Sequence, residues 1–287
     1  MPLHIGLYAP NMHGTADLHG TRRIATLAED LGYDSLWVAD HVVVPAPRVE
    51  PSPIEPDEPL LDPLVTLAYI AAVTSRIRLA TGCVVVPQRN PLVLAKQLAS
   101  VDVLSGGRLH FGAVAGYLVP ELRTLGVDVA SRGRRLDESL RAIFSLWYDR
   151  KPSFHGEFVD FEGVDAHPRP IQRPVPLVIG GHSAPAHRRA VTDGDEWYGF
   201  MLGLRATAEQ LRLLRGAADG IVRDKPPLKI SVTPARRLDP DVVRSFAELG
   251  VDRLVIAAPA GAGLAEFEEF VVNNAPERLE ALARGQV

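Results

Sequence analysis

The stretch "RIRLATGCVVVPQRNPLVLAKQLASVDVLSGGRLHFGAVA", Arg76 to Ala115, holds one complete strand, helix and strand. Ile77 to Val86 and Arg108 to Ala115 are short runs rich in Val, Leu and Ala, without the strict polar alternation of a strand that has one face in water. Between them, Asn90 can cap a helix, Pro91 fits its first turn, and Leu94, Leu98, Val101 and Leu104 share one face. Gly106 and Gly107 end it. Strands buried on both faces and joined by a helix imply a parallel sheet covered by helices.

The same unit recurs along the chain. Strands are predicted near Leu3 to Ala9, Ser35 to Ala39, Ile77 to Val86, Arg108 to Ala115, Pro176 to Ile179, Glu196 to Phe200, Leu228 to Thr233 and Arg253 to Ala257, each followed by a helical segment. In "SRGRRLDESLRAIFSLWYD", for example, Leu136, Leu140, Ile143, Phe144 and Trp147 form a core stripe. Eight repeats in roughly 250 residues match a closed (β/α)8 TIM barrel better than an open sheet. The expectation is therefore one α/β domain over residues 1–287. Two excursions interrupt it, near residues 42–62 and 151–175. The first carries too many prolines for regular structure, whereas the second alternates enough for a hairpin, and both are candidate walls of a site.

Composition narrows the setting. A net charge of -4 and a pI near 6.1 leave no basic excess for a nucleic-acid backbone. One cysteine rules out an internal disulfide and suits a reducing compartment. No basic-then-apolar leader and no apolar run of roughly 18 residues is present, so a cytoplasmic protein without a membrane segment is expected.

Catalytic groups in such barrels sit at the C-terminal ends of strands and in the loops that follow. Asp40 and His41 occupy that position in "LWVADHVVVP". Taken alone, the pair reads equally as loop support with a polar rim residue or as titratable chemistry. After the fifth strand, Gly180 and Gly181 precede a helix whose unpaired N–H groups could hold a phosphate. "APAGAG", residues 258–263, could compete for that role but reads as a turn. No H-x-H or H-E-x-x-H pattern occurs, so no metal site is expected.

"LGYDSLWVADH", the Arg76 to Gly112 stretch, "SRGRRLDESL", "SFHGEFVDFEGV" and "RPVPLVIGGHS" together resemble the bacterial luciferase-like flavin oxidoreductases and monooxygenases, most of all the actinobacterial branch that uses the deazaflavin coenzyme F420. The resemblance runs from about Leu3 to Phe200. It implies hydride transfer between F420 and a small organic substrate, with Asp40 and His41 beside the cofactor ring, His41 as proton donor or acceptor and Asp40 orienting it. Cys83 and Val84 would press on the ring through a non-prolyl cis peptide joining them, with Cys83 a backbone contact and not a nucleophile. Gly116 and Tyr117 would line the pocket, and Gly180, Gly181, His182 and Ser183 would hold the phosphate. A homodimer is expected on the same ground.

Two residues depart from the family pattern. Val114 stands where strand four often has a glycine, and Glu196 stands where a glycine often precedes the tryptophan of strand six. The first could narrow a pocket, and the second could repel an anionic cofactor if it pointed inward, or both could equally be harmless shifts in local packing. Tyr117 also differs from the glutamate acid of sugar-phosphate-oxidising relatives, so that substrate is not inferred. Two other readings keep the fold: an FMN-dependent monooxygenase fed by a partner reductase, and a barrel that binds a flavin-like ligand without turnover.

Overall fold

The computed structural model describes residues 3–283. Eight parallel strands form the barrel: β1 His4–Tyr8, β2 Ser35–Val38, β3 Arg78–Thr81, β4 Leu109–Val114, β5 Leu177–Gly180, β6 Glu196–Leu202, β7 Lys229–Pro234 and β8 Arg253–Ala257. Each pairs with its neighbours in chain order, and β8 pairs back onto β1, with His4 opposite Arg253. The expected (β/α)8 architecture is therefore closed. β3 stops two residues before a short extension, Val84–Val85, that pairs with Ala113 and Val114 of β4.

The connecting helices are α1 Leu18–Asp30, α2 Pro63–Val73, α3 Pro91–Leu104, α4 Val119–Thr124, α5 Arg132–Tyr148, α6 Ala184–Thr192, α7 Leu204–Ala218, α8 Pro240–Glu248, α9 Leu264–Asn273 and α10 Pro276–Ala283. Asn90 caps α3 as its position predicts, its side chain accepting from the N–H groups of Leu92 and Val93. Among the described residues no helix is long and apolar enough to cross a membrane.

Residues 154–161 form the expected hairpin, Phe154–His155 against Asp160–Phe161. It lies on α5, where Glu138 accepts from the N–H groups of Glu157, Phe158 and Val159. Its contacts thus anchor it to α5 and not to Asp40 or His41. The other excursion does become a wall: Ile54, Val44 and Leu60 pack with Ala9, Met12 and Ala39 at the ends of β1 and β2.

Period-two alternation divides each strand between two cores. Outward residues such as Leu7, Leu36, Val38, Phe111, Ile179, Trp197 and Ile256 join the helices in one large apolar layer. Inward residues stack in tiers. The middle tier is Trp37, Ala80, Val178, Tyr198 and Val255. Below it, at the closed end, the tier is ionic. Glu196 accepts from Ser231 Oγ and Arg253 Nη1. Arg253 Nε also donates to Asp34 at 2.8 Å. A hollow of about 370 Å³ borders this tier, lined in part by Asp34, Arg78, Arg108 and His110.

Burial pushes the His110 imidazole down to about 4, with Arg253 and Arg78 adding to the effect and Glu196 opposing it. Unfolded histidine titrates near 6.5, so the unfolded chain takes up the proton first as pH falls. Stability from His110 is complete above about pH 6.5 and is lost progressively down to about pH 4, on the order of 3 kcal/mol in all. His110→Asn is expected to flatten that part of the curve, measured as urea midpoints at several pH values. An unchanged slope would mean that the carboxylates account for the loss.

Candidate active site

The site begins at the C-terminal end of β2, where the backbone is held by a residue far away in sequence. Asn11 is fully buried; its Nδ2 donates to the carbonyls of Ala39 and Leu61, and its Oδ1 accepts from the N–H of Ala39. This clamp fixes the two residues that follow.

Asp40 does not orient His41. Its carboxylate accepts from Arg89 Nη2 at 2.7 Å and from the N–H of Val85 at 2.9 Å. Burial pushes the Asp40 carboxyl up, and the guanidinium opposes that shift. The role of Asp40 in this geometry is to lock the extension of β3 onto the end of β2.

His41 turns the other way. Its Nδ1 lies 2.7 Å from Oε2 of Glu121, in the first turn of α4, and the second oxygen of Glu121 accepts from the N–H of Val42 at 2.7 Å. Burial alone would raise Glu121, but the hydrogen bond and electrostatic attraction of the His41 ring outweigh it, helped by Val42 N–H and the nearby Gln88 amide. The carboxyl sits below its usual range. Neither amide atom of Gln88 has a well-formed hydrogen bond, so this side chain is a loosely committed neighbour. The remaining ring nitrogen of His41, Nε2, faces the Tyr117 hydroxyl at 3.3 Å, with the two rings perpendicular.

Gly116 makes that approach possible. Its φ is +87°, and a Cβ there would lie 2.7 Å from Val85 Cγ1, so the turn delivering Tyr117 needs glycine. Cys83 lies inside the barrel, its thiol pushed up by burial, which suits an unreactive group. The non-prolyl cis peptide joins Gly82 to Cys83, one residue earlier than expected from the resemblance. Val84 points outward into the helix-facing core.

Tyr8 connects these elements: burial pushes its phenol up, with Cys83, Tyr117 and Asp40 adding to the shift, and its ring lies 5.0 Å from that of Phe200. A bulge shapes the rim beyond it. Gly199 pairs with Val232 and Leu202 with Pro234, which leaves one extra residue on β6. Phe200 and Met201 are thereby turned into the open, Met201 with φ +54°.

Across the mouth, Gly180 ends β5, and a Cβ there would strike Val114 and the Cys83 sulfur. Its small size therefore serves packing. Gly181 has φ +117° and begins the turn into α6. Ser183 caps that helix by accepting from Ala186 N–H, and His182 Nε2 accepts from the N–H of Phe200. The N–H groups of His182, Ser183 and Ala184 meet no acceptor among the described residues. With the helix dipole behind them they fit an anionic group such as a phosphate ester. Trp197 Nε1 braces the turn by donating to the carbonyl of Gly181.

The two departures have structural explanations. Val114 packs between Gly180 and the cluster of Val85, Leu122 and Val127. Glu196 belongs to the ionic tier at the closed end, and Arg253 and His110 hold it below the usual carboxylate range against its burial. Among the described residues no group of His, Cys, Asp and Glu is placed to bind a metal. Sequence reasoning missed Glu121, Arg89 and Asn11.

Comparison with known proteins gives this geometry a setting. The sequence profile of the luciferase-like monooxygenases matches residues 3–285. An uncharacterized protein of Mycobacterium tuberculosis is 32% identical over 246 residues, spanning 82% of this chain and 86% of its own. An FMNH2-dependent dimethylsulfone monooxygenase of Pseudomonas putida is 29% identical over 234 residues, or 73% of this chain and 64% of its own. Among solved structures, an F420-dependent secondary alcohol dehydrogenase in complex with an F420-acetone adduct superposes with a TM-score of 0.77. It covers 95% of this chain and 98% of its own at 15% identity, a likeness of fold.

Proposed function

The chain belongs to the luciferase-like monooxygenase family, and from that membership we propose that it is an F420-dependent oxidoreductase acting on a small organic substrate. The observation that carries the proposal is a histidine at the barrel mouth with one nitrogen held by a buried carboxylate and the other directed at Tyr117. Such a group can take up or release a proton while a hydride moves.

The residues present fit a flavin-like cofactor. Its phosphate-bearing tail would take the free N–H groups of His182 to Ala184, and its ring would lie near Tyr8, Cys83, Gly116 and Tyr117. When bound, the cofactor supplies the hydride chemistry; the protein supplies alignment. Asp40 and Arg89 hold the β3 extension in place, His41 manages the proton, and the exposed apolar rim of Val42, Val43, Phe200 and Met201 favours an organic substrate over a highly charged one.

One observation favours a second reading, in which reduced FMN is the cofactor and oxygen the co-substrate: the dimethylsulfone monooxygenase named above is FMNH2-dependent. The non-catalytic reading loses its motive, because Val114 and Glu196 are both explained by packing and ion pairing. Titration of the purified protein with F420 and with FMN, followed by fluorescence quenching, separates the rest. Saturable binding of F420 at concentrations where FMN does not bind is expected. Preference for FMN would overturn the deazaflavin assignment and promote the monooxygenase.

A further inference from the structure

Nε2 is the ring nitrogen of His41 not engaged by Glu121, and the Tyr117 hydroxyl lies 3.3 Å from it. The His41 side chain is 9% exposed, whereas Tyr117 is 51% exposed and places its hydroxyl against that nitrogen. The Tyr117 oxygen therefore offers a proton a route between the mouth and the imidazole.

We propose that Tyr117, His41 and Glu121 form a proton relay in which the Tyr117 hydroxyl, and not the imidazole, is the group that meets the substrate. The proposal deepens the oxidoreductase reading and rests on it for the identity of the reaction. In the oxidising direction, the substrate O–H proton passes to Tyr117 Oη as the Oη proton passes to His41 Nε2. A bound oxidised deazaflavin would take the C–H electron pair as hydride. The imidazolium that results is paired with the Glu121 carboxylate, so the positive charge appears beside a negative one already in place. Reduction runs the same transfers backward, the imidazolium returning its proton through Oη to the nascent alkoxide.

The phenol is suited to transmit a proton without carrying a standing charge. Burial and the nearby Glu121 push it up to about 12, so it is neutral and hydrogen-bearing across the working range. Glu121 is a positioning residue in this scheme: it fixes the Nδ1–H tautomer, which leaves the Nε2 lone pair to accept from Tyr117. The N–H of Val42 holds the carboxylate in turn.

The first test needs no cofactor. Imidazole ¹⁵N resonances of His41 in the free protein should show an Nδ1–H tautomer with a hydrogen-bonded Nε2. Tyr117→Phe should move the Nε2 resonance toward that of an unbonded nitrogen, and Glu121→Gln should weaken the tautomer preference. The second test uses the holoenzyme with any alcohol or carbonyl it turns over. Tyr117→Phe should cut kcat about 10²-fold, and the proton inventory in H2O and D2O mixtures should change from curved to linear. An Nε2 resonance indifferent to Tyr117→Phe would overturn the relay, as would full turnover in that variant. Failure of F420 to bind would instead count against the deazaflavin reading and leave the resonance test standing.

Discussion

Replacing His41 by glutamine is expected to lower turnover by about 10²–10⁴-fold while cofactor binding persists. The glutamine amide can still donate to Glu121, which is buried with its side chain 1% exposed, so the wall of the site should keep its shape. What it cannot do is accept and return a proton. Alanine is the blunter change: it leaves the Glu121 carboxylate with the Val42 N–H and the uncommitted Gln88 amide, and should add a stability loss of about 1–3 kcal/mol. Steady-state kinetics, fluorescence titration and urea midpoints on both variants separate the two effects. Parallel loss of binding and turnover in His41→Gln would make His41 part of the cofactor's seat and remove it from proton transfer.

Arg253→Met should destabilise the fold by about 3–5 kcal/mol, the largest effect expected of any single change at the closed end. Arg253 is 4% exposed and is shared between Glu196, at 2% exposure, and Asp34. Removing the guanidinium leaves Glu196 charged and buried at the closed end of the barrel, with Ser231 as donor and His110 4.0 Å away. Asp34 retains Arg78. The double variant Glu196→Met with Arg253→Met removes the stranded charge along with its partner and should recover much of the loss, because a buried pair gains little over a well-packed apolar replacement. Urea denaturation of both variants checks this, and a single variant as stable as the parent would show that water reaches Glu196.

The barrel was legible because its signal is periodic and repeated. Seven of the eight strands lie within two residues of their expected bounds, Arg253 to Ala257 matching to the residue, whereas β3 ends at Thr81 and resumes only as the Val84–Val85 extension. Strand ends were legible for the same reason, since the fold rule converts a strand boundary into a position at the mouth. Partnerships were not. A glutamate just after a proline in "LVPEL" reads as an ordinary first helical turn, and nothing local says that its carboxylate reaches His41, 80 residues earlier in the chain. Arg89 and Asp40 are separated by 49 residues, so their pairing is likewise set by the closed sheet. The place of Glu196 stayed open for a different reason. A strand residue's inward or outward facing can be read from alternation, but its tier depends on register between neighbours, and register is a property of two strands.

The tiers also set how this protein would respond to change. From Glu196 to Phe200 is four steps along β6, about 13 Å at the usual rise of a strand. That exceeds the roughly 7–10 Å within which substitutions ordinarily influence one another. Free-energy changes at the rim and at the ionic base should therefore add independently. A barrel reinforced at its closed end would carry a reserve that costly rim substitutions could draw on, so selectivity could be rewritten at one end while foldability is maintained from the other.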